Sequence, residues 1–151
     1  MAPVDHEFLF ALSARVFSIY ARDPDRALVA MLRQPGAIAF VALRGETKVG
    51  FVVLSLRALG HPFGPWPNPA RAHVDAIAVA PEEHGAGIGR RLFDHAASAA
   101  REAGAVSMSL TTAETNTAAL GLFRAAGMWE LYVERDAYRG GQSGRMLFKG
   151  L

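Results

Sequence analysis

Val74-Asp75-Ala76-Ile77-Ala78-Val79-Ala80-Pro81-Glu82-Glu83-His84-Gly85-Ala86-Gly87-Ile88-Gly89-Arg90-Arg91-Leu92 reads as a buried strand that passes through a glycine-rich turn directly into an amphipathic helix. Gly85, Gly87 and Gly89, at alternate positions, let the backbone turn sharply and bring its N–H groups close to an anion, because no Cβ intervenes. The first N–H groups of the helix that starts near Ile88 lack intrahelical partners, and the helix dipole adds partial positive charge at that end. A pyrophosphate fits such a site. The helix is predicted to run to Gly104, with Ile88, Leu92, Ala96, Ala99 and Ala103 on its apolar face. Arg90, Arg91, Asp94, His95, Ser98, Arg101 and Glu102 occupy the other faces. A glycine turn that binds nothing is the bland alternative; the strand before it, the helix after it and Arg90 with Arg91 at the helix start weigh against that reading.

Two phosphate-binding motifs are excluded by what surrounds the glycines. A P-loop requires lysine and then serine or threonine after its last glycine, whereas Gly89 is followed by Arg90 and Arg91. A dinucleotide-binding turn places its last glycine later than Gly89 and an acidic residue about twenty positions on, for which Glu114 is a poor stand-in. The motif also starts near the middle of the chain, which leaves too little sequence for a doubly wound sheet.

Composition narrows the class further. A chain of 151 residues is long enough to bury a core without staples, and residues 1–151 are expected to form a single domain. Apolar residues make up 51% and charged residues 20%, the balance of a globular chain and not of a disordered one. The absence of cysteine excludes disulfides, thiolate metal sites and a cysteine nucleophile together, and no metal is implied. A net charge of +2 with scattered arginines gives no reason to expect a nucleic-acid partner. The apolar runs 37–43 and 49–56 are too short to span a bilayer, and the acidic start Val4-Asp5-His6-Glu7 does not resemble a signal peptide. No membrane partner is expected, and the cytoplasm is the default location.

Phe8, Leu9, Leu12, Val16, Ile19 and Tyr20 recur at helical spacing, and Asp23-Pro24-Asp25 reads as a break followed by a second helix with Asp23 as its cap. Segments 37–43 and 49–57 are β-rich and joined by Arg44-Gly45-Glu46-Thr47, which predicts an antiparallel hairpin. Residues 59–71, rich in proline and glycine and carrying His61, Phe63 and Trp66, read as a loop: a rigid connector, or a substrate wall or lid. Val106-Ser107-Met108-Ser109-Leu110 alternates as a strand, Asn116 caps a helix ending at Gly127, and strands over 128–135 and 145–149 close the chain.

Ordered this way, residues from about 49 to 127 resemble the GNAT superfamily of acetyl-CoA-dependent N-acyltransferases. Ala78-Val79-Ala80-Pro81 and His84-Gly85-Ala86-Gly87-Ile88-Gly89 sit where that family carries its pyrophosphate motif, and 116–128 resembles its second conserved block. The resemblance implies an α/β (α+β) fold, a central mixed and mostly antiparallel sheet flanked by helices, with acetyl-CoA as cofactor. Ile77, Ala78 and Val79 would pair with pantetheine as an added strand, and an N–H near Val79 would polarise the thioester carbonyl. His84, Gly85, Ala86, Gly87, Ile88, Gly89 and Arg90 would hold the pyrophosphate. Asn116 would cap its helix and touch the pantetheine arm, and a cap without any ligand role is equally consistent with its sequence. The family's usual first strand is not evident before the opening helices.

Two positions depart from the family pattern. His84 stands where an arginine or glutamine is usual. Phe123 stands where many members carry a tyrosine that protonates the departing thiolate, leaving Tyr132 and Tyr138 as the available phenols. Attack needs a neutral amine, so a base is required, because an alkylammonium near pKa 10.4 is protonated at neutral pH. His73 and Asp75 alternate with Ile77 and Val79, so all four side chains are expected on one face, His73 as base and Asp75 to orient it, relay a proton or hold the substrate's charge. The implied activity is acetyl transfer to a primary amine of unidentified structure, catalysed by His73, Asp75 and Tyr138; the alternative is a non-catalytic acyl-CoA-binding domain. The family also allows a homodimer.

Overall fold

The computed structural model describes residues 6–151, so Val4 and Asp5 of the acidic start, and any strand ahead of the first helix, lie outside the described residues. The spacing of Leu9 and Leu12 buries one side of α1 (His6–Phe17), and Asp23 caps α2 (Pro24–Arg33) by accepting the Arg26 N–H at 3.0 Å. Helix α1 stops before the expected Tyr20, because the Tyr20 and Ala21 N–H groups both turn back onto the Phe17 carbonyl. Ile19 is consequently 62% exposed and no part of the buried face.

Strands β1 (Ala37–Arg44) and β2 (Thr47–Ala58) form the expected hairpin, closed by a turn with Gly45 at φ 63°. The remaining elements are β3 (Ala70–Val79), α3 (Ile88–Glu102), β4 (Ala105–Ala113), α4 (Thr117–Ala125), β5 (Trp129–Tyr138) and β6 (Gln142–Gly150). The strands build a six-stranded sheet in the order β1-β2-β3-β4-β6-β5, in which β3 and β4 run parallel and the other neighbours antiparallel. The sheet is mixed and mostly antiparallel, with helices on both faces. The closing strands are longer than sequence alternation suggested and meet across the short turn Arg139–Gly141.

The proline-rich loop is two residues shorter than expected, since Ala70 and Arg71 already pair with Ala58 and Arg57. It folds on itself through reciprocal hydrogen bonds between Phe63 and Trp66 and a cap from Asn68 to the Gly60 N–H. It sits at the end of β3 away from the glycine turn.

Two apolar clusters sandwich the sheet. One joins α3 and α4 to Val52, Leu54, Ala72, Val74, Met108 and Leu110; the other joins α1 and α2 to Phe51, Val53, Ala76, Ala78 and Ala80. Each fully buried leucine or phenylalanine in them contributes about 1.5–3 kcal/mol. The buried stripe of α3 is Leu92, Phe93, Ala96, Ala97 and Ala100, rotated from the predicted face, so that Ala99 is only partly covered and Ala103 is exposed. Phe93 sets that rotation: its ring is fully buried and packs on Phe123 at 5.7 Å.

Two irregularities in β3 position the site. Val53 pairs with Ala76 but Leu54 pairs with Val74, which makes Asp75 the extra residue of a β-bulge. Pairing with β4 then ends at Val74 and Leu110, although both strands continue, so the sheet opens between them beyond that point.

Candidate active site

The bulge changes which side chains share a face. Ala72 and Val74 belong to the α3–α4 cluster, whereas Ala76, Ala78 and Ala80 belong to the α1–α2 cluster. The simple alternation expected for His73, Asp75, Ile77 and Val79 therefore fails. Ile77 and Val79 pack against the α3–α4 cluster, and His73 is turned to the opposite side. Asp75 joins residues of α1 and α2 around a cavity. A two-residue period breaks where one strand gains a residue.

Backbone direction is set by the same strand. The Ala80 N–H donates to the Val49 carbonyl at 2.8 Å, which turns the backbone groups of Ala78 and Ala80 toward β2 and those of Ile77 and Val79 into the opening beside β4. His84 fixes one of them: its Nε2 lies 3.0 Å from the Val79 carbonyl oxygen, and since a carbonyl only accepts, Nε2 carries the proton.

A cavity of about 380 Å³ runs along this opening, lined by Ile77, Ala78 and Val79, by His84, Gly85, Gly87, Ile88, Gly89 and Arg90, and by Asn116 and Phe123 among others. Eleven of the twelve residues assigned to the cofactor from sequence thus meet on one surface. The twelfth, Ala86, faces a neighbouring depression with Arg91 and His95. Gly85 and Gly87 have φ of 87° and 78°, a backbone region that disfavours side chains, and Gly87 occupies the N-cap of α3. Gly89 lies inside α3, where a Cβ would come within 2.8 Å of Leu122 Cδ1, so that the leucine side chain would have to turn aside. Arg44 holds Glu83 at 2.6 Å and Arg15 holds Glu82 at 2.8 Å, pinning the turn Pro81–Glu83 to β1 and α1. The Arg90 guanidinium is bound to Asp94 at 3.0 Å and reaches the Ala125 carbonyl at 3.3 Å, which orients it along α3.

Asn116 is the α4 cap expected from sequence, accepting the Ala119 N–H at 3.2 Å. Replacing it by alanine is expected to cost about 1 kcal/mol of stability, read from the denaturation midpoint. A further loss of coenzyme A affinity at a temperature where Asn116→Ala is folded would assign it a ligand contact as well.

A second cavity of about 150 Å³ continues on the α1–α2 side, walled by Phe17, Tyr20, Leu28, Met31, Asp75 and Tyr138. It shares Ile77, Asn116, Ala119 and Phe123 with the first cavity, so the two meet where the sheet opens. Phe123 is 2% exposed and stands at this junction. His73 lines neither cavity; its Nδ1 lies 3.0 Å from Ser109 Oγ. Burial lowers the His73 imidazole below its usual pKa, opposed by Asp75 and reinforced by Arg57. Burial raises the Asp75 carboxyl above its usual range, opposed by His73, a Ser55 hydrogen bond and Arg57. Asp75 Oδ2 is buried without a hydrogen-bond partner.

Tyr138 lines the second cavity and Tyr132 lines neither, being 55% exposed on β5. Tyr20, Phe17 and Met31 are wall residues that sequence reading did not assign to a site, and their only signal was an aromatic or sulfur side chain near a helix end. No residue of the 59–69 loop lines either cavity.

The sequence profile of the Acetyltransferase (GNAT) family matches residues 6–128. The chain belongs to the GNAT acetyltransferase family. Solved structures give the same fold. The IAA acetyltransferase from Bacillus cereus aligns with a TM-score of 0.74 at 20% identity, over 93% of this chain and 91% of that one. The ribosomal-protein-S18-alanine N-acetyltransferase from Escherichia coli aligns at 0.74 and 17% identity, over 99% and 91%. Arabidopsis thaliana NAA60, solved with a bisubstrate analogue, aligns at 0.80 and 12% identity, over 99% and 95%. No curated protein matches the chain. In this member of the GNAT family, no described helix is long and apolar enough to cross a membrane.

Proposed function

We propose that the protein transfers the acetyl group of acetyl-CoA to a primary amine by direct attack in a ternary complex. The observation that carries this reading is the junction of two cavities at Ile77, Asn116, Ala119 and Phe123, one running to the glycine turn and the other to Asp75. Acetyl-CoA would supply an acetyl thioester whose C–S bond breaks as the neutral amine nitrogen bonds the acetyl carbon, coenzyme A leaving as a thiolate that can take up the proton the nitrogen sheds on becoming an amide.

The chain's own groups fit that division of labour. Gly85, Gly87 and the first N–H groups of α3 would bind the pyrophosphate, and the backbone of Val79 would align pantetheine as an added strand. Ile77 faces both cavities whereas Val79 faces only the first, so the Ile77 N–H is the better-placed donor to the thioester carbonyl. His84 is already committed to the Val79 carbonyl, so its part at the pyrophosphate is through its backbone.

On the acceptor side, Asp75 takes the leading role that sequence reading gave to His73. Its carboxylate, part of the cavity lining, would accept the ammonium proton, and His73, behind it on the same face, tunes its charge as a positioning residue. Tyr138 is assigned to the wall of the acceptor cavity. Burial pushes its phenol up to about 12, so it stays protonated at neutral pH and is a weaker acid than an ordinary tyrosine. The thiolate leaves without a phenolic acid, consistent with Phe123. Tyr138→Phe is accordingly expected to change kcat by less than about threefold, whereas loss of a true general acid costs about a hundredfold or more.

The second reading, an acyl-CoA-binding domain without turnover, is favoured by Phe123 alone. Thiol release from acetyl-CoA over a mixed panel of primary amines separates the two. Amine-dependent release supports transfer, and tight acetyl-CoA binding with no release across the panel refutes it.

A further inference from the structure

The cavity next to Asp75 narrows the acceptor, given the acetyl-transfer reading above. Its volume of about 150 Å³ matches an engineered protein cavity of about 150 Å³ that takes up benzene, so it has room for one ring or a branched aliphatic group. Its lining is mainly apolar, with Phe17, Tyr20, Leu28, Met31 and Tyr138 as the large residues and Ser13, Thr111, Thr112 and Asn116 as the small polar ones. Among the described residues that line it, none carries a positive charge, and Asp75 is the single carboxylate. The Asp75 carboxylate is thus the one group in this lining that offers a negative charge to an ammonium.

The far wall is also tied shut. The Arg139 N–H donates to the Tyr20 carbonyl at 2.8 Å, Gln142 Nε2 donates to the Ile19 carbonyl at 3.0 Å, and the Tyr20 and Tyr138 rings meet edge-on at 5.9 Å. The joint between α1 and α2 and the turn between β5 and β6 are thus one continuous wall. That arrangement favours a compact ligand over an extended one.

We propose that the acceptor is a small, singly charged primary amine with an apolar body of about one ring, such as an arylalkylamine, its ammonium on Asp75 and its ring between Phe17, Tyr20 and Tyr138. A free amino acid would set its carboxylate beside Asp75 with no cation to meet it. A polyamine would bury a second ammonium with no second carboxylate to meet it.

The test is calorimetric titration of the protein, saturated with the unreactive analogue desulfo-CoA, with 2-phenylethylamine, phenylalanine, spermidine and a tetrapeptide beginning with phenylalanine. The expected result is that 2-phenylethylamine binds about tenfold or more tightly than each of the others. Asp75→Asn and the cavity-filling Ala27→Phe should each weaken it by about tenfold, with Ala27→Phe still binding coenzyme A as a check that it is folded. Tighter binding of spermidine, phenylalanine or the peptide overturns the proposal, as does failure of 2-phenylethylamine to bind. Thiol release measured on the same amines with acetyl-CoA keeps the two readings apart. Binding of 2-phenylethylamine without release would sink acetyl transfer and leave the cavity assignment standing, whereas release with spermidine alone would do the reverse.

Discussion

Gly87→Val is expected to weaken acetyl-CoA binding by at least about tenfold while the sheet and its helices remain folded. Gly87 is the N-cap of α3 with φ of 78°, and a Cβ placed on it would meet nothing within 4 Å. The effect is therefore conformational and not a clash. A left-handed backbone costs an ordinary residue about 1–2 kcal/mol, and more for a β-branched one, so valine would pull the turn out of that region and turn its N–H groups away from the pyrophosphate. Asparagine visits the left-handed region more readily, so Gly87→Asn should retain more affinity than Gly87→Val despite its similar size. Equal affinities for the two variants would refute the backbone explanation. Calorimetry with acetyl-CoA reads both.

Asp75→Asn is expected to lower kcat/KM for the amine by about a hundredfold or more, with acetyl-CoA affinity unchanged, because Asp75 lies on the acceptor side of the junction. The same substitution should alter the pH profile. Burial raises the Asp75 carboxyl, so activity in the parent falls as pH drops through a value above the ordinary carboxylate pKa of 3.8, where Asp75 takes up a proton. Burial lowers His73, so its protonation also falls at more acidic pH than for an ordinary histidine, and the variant decides which group sets the limb. Asp75→Asn should flatten the limb, and an unchanged limb would move the base elsewhere. The sign of the stability effect is opposite to that of a salt-bridged aspartate. The folded state holds the proton more tightly than the unfolded state, so stability declines as pH rises from the ordinary value through the raised one. At neutral pH the buried charge is a cost, and thermal denaturation of Asp75→Asn should give a Tm no lower than that of the parent.

Much of this architecture was legible in the chain because local chemistry decides it. Asp23 followed by Pro24, the turn Arg44-Gly45-Glu46-Thr47, Asn116, Gly85 and Gly87 each act within a few residues of themselves, and each takes the backbone conformation or cap that its sequence neighbourhood implies. What escaped depends on partners distant in sequence. The bulge at Asp75 arises from register with β2, about twenty residues away, and nothing in the alternation of 73–79 distinguishes a strand with an added residue from one without. An acidic side chain inside the apolar run 74–80 was the available hint. The rotation of α3 follows from Phe93 packing on Phe123, a contact between helices. The second cavity draws on α1, α2, β3, β4, α4 and the end of β5, so Tyr20 and Phe17 carry no local mark of their place in its wall.

The account rests on coenzyme A lying in the opening between β3 and β4 against the glycine turn. The most direct measurement is a heteronuclear NMR titration of ¹⁵N-labelled protein with coenzyme A, following the amides of Ile77, Val79, Gly85, Gly87 and Gly89. Saturable shifts of all five, with little change at Gly60 and Gly64 in the distant loop, are the expected result. Binding that leaves Ile77, Val79 and the three glycines unmoved, or no binding, would contradict it.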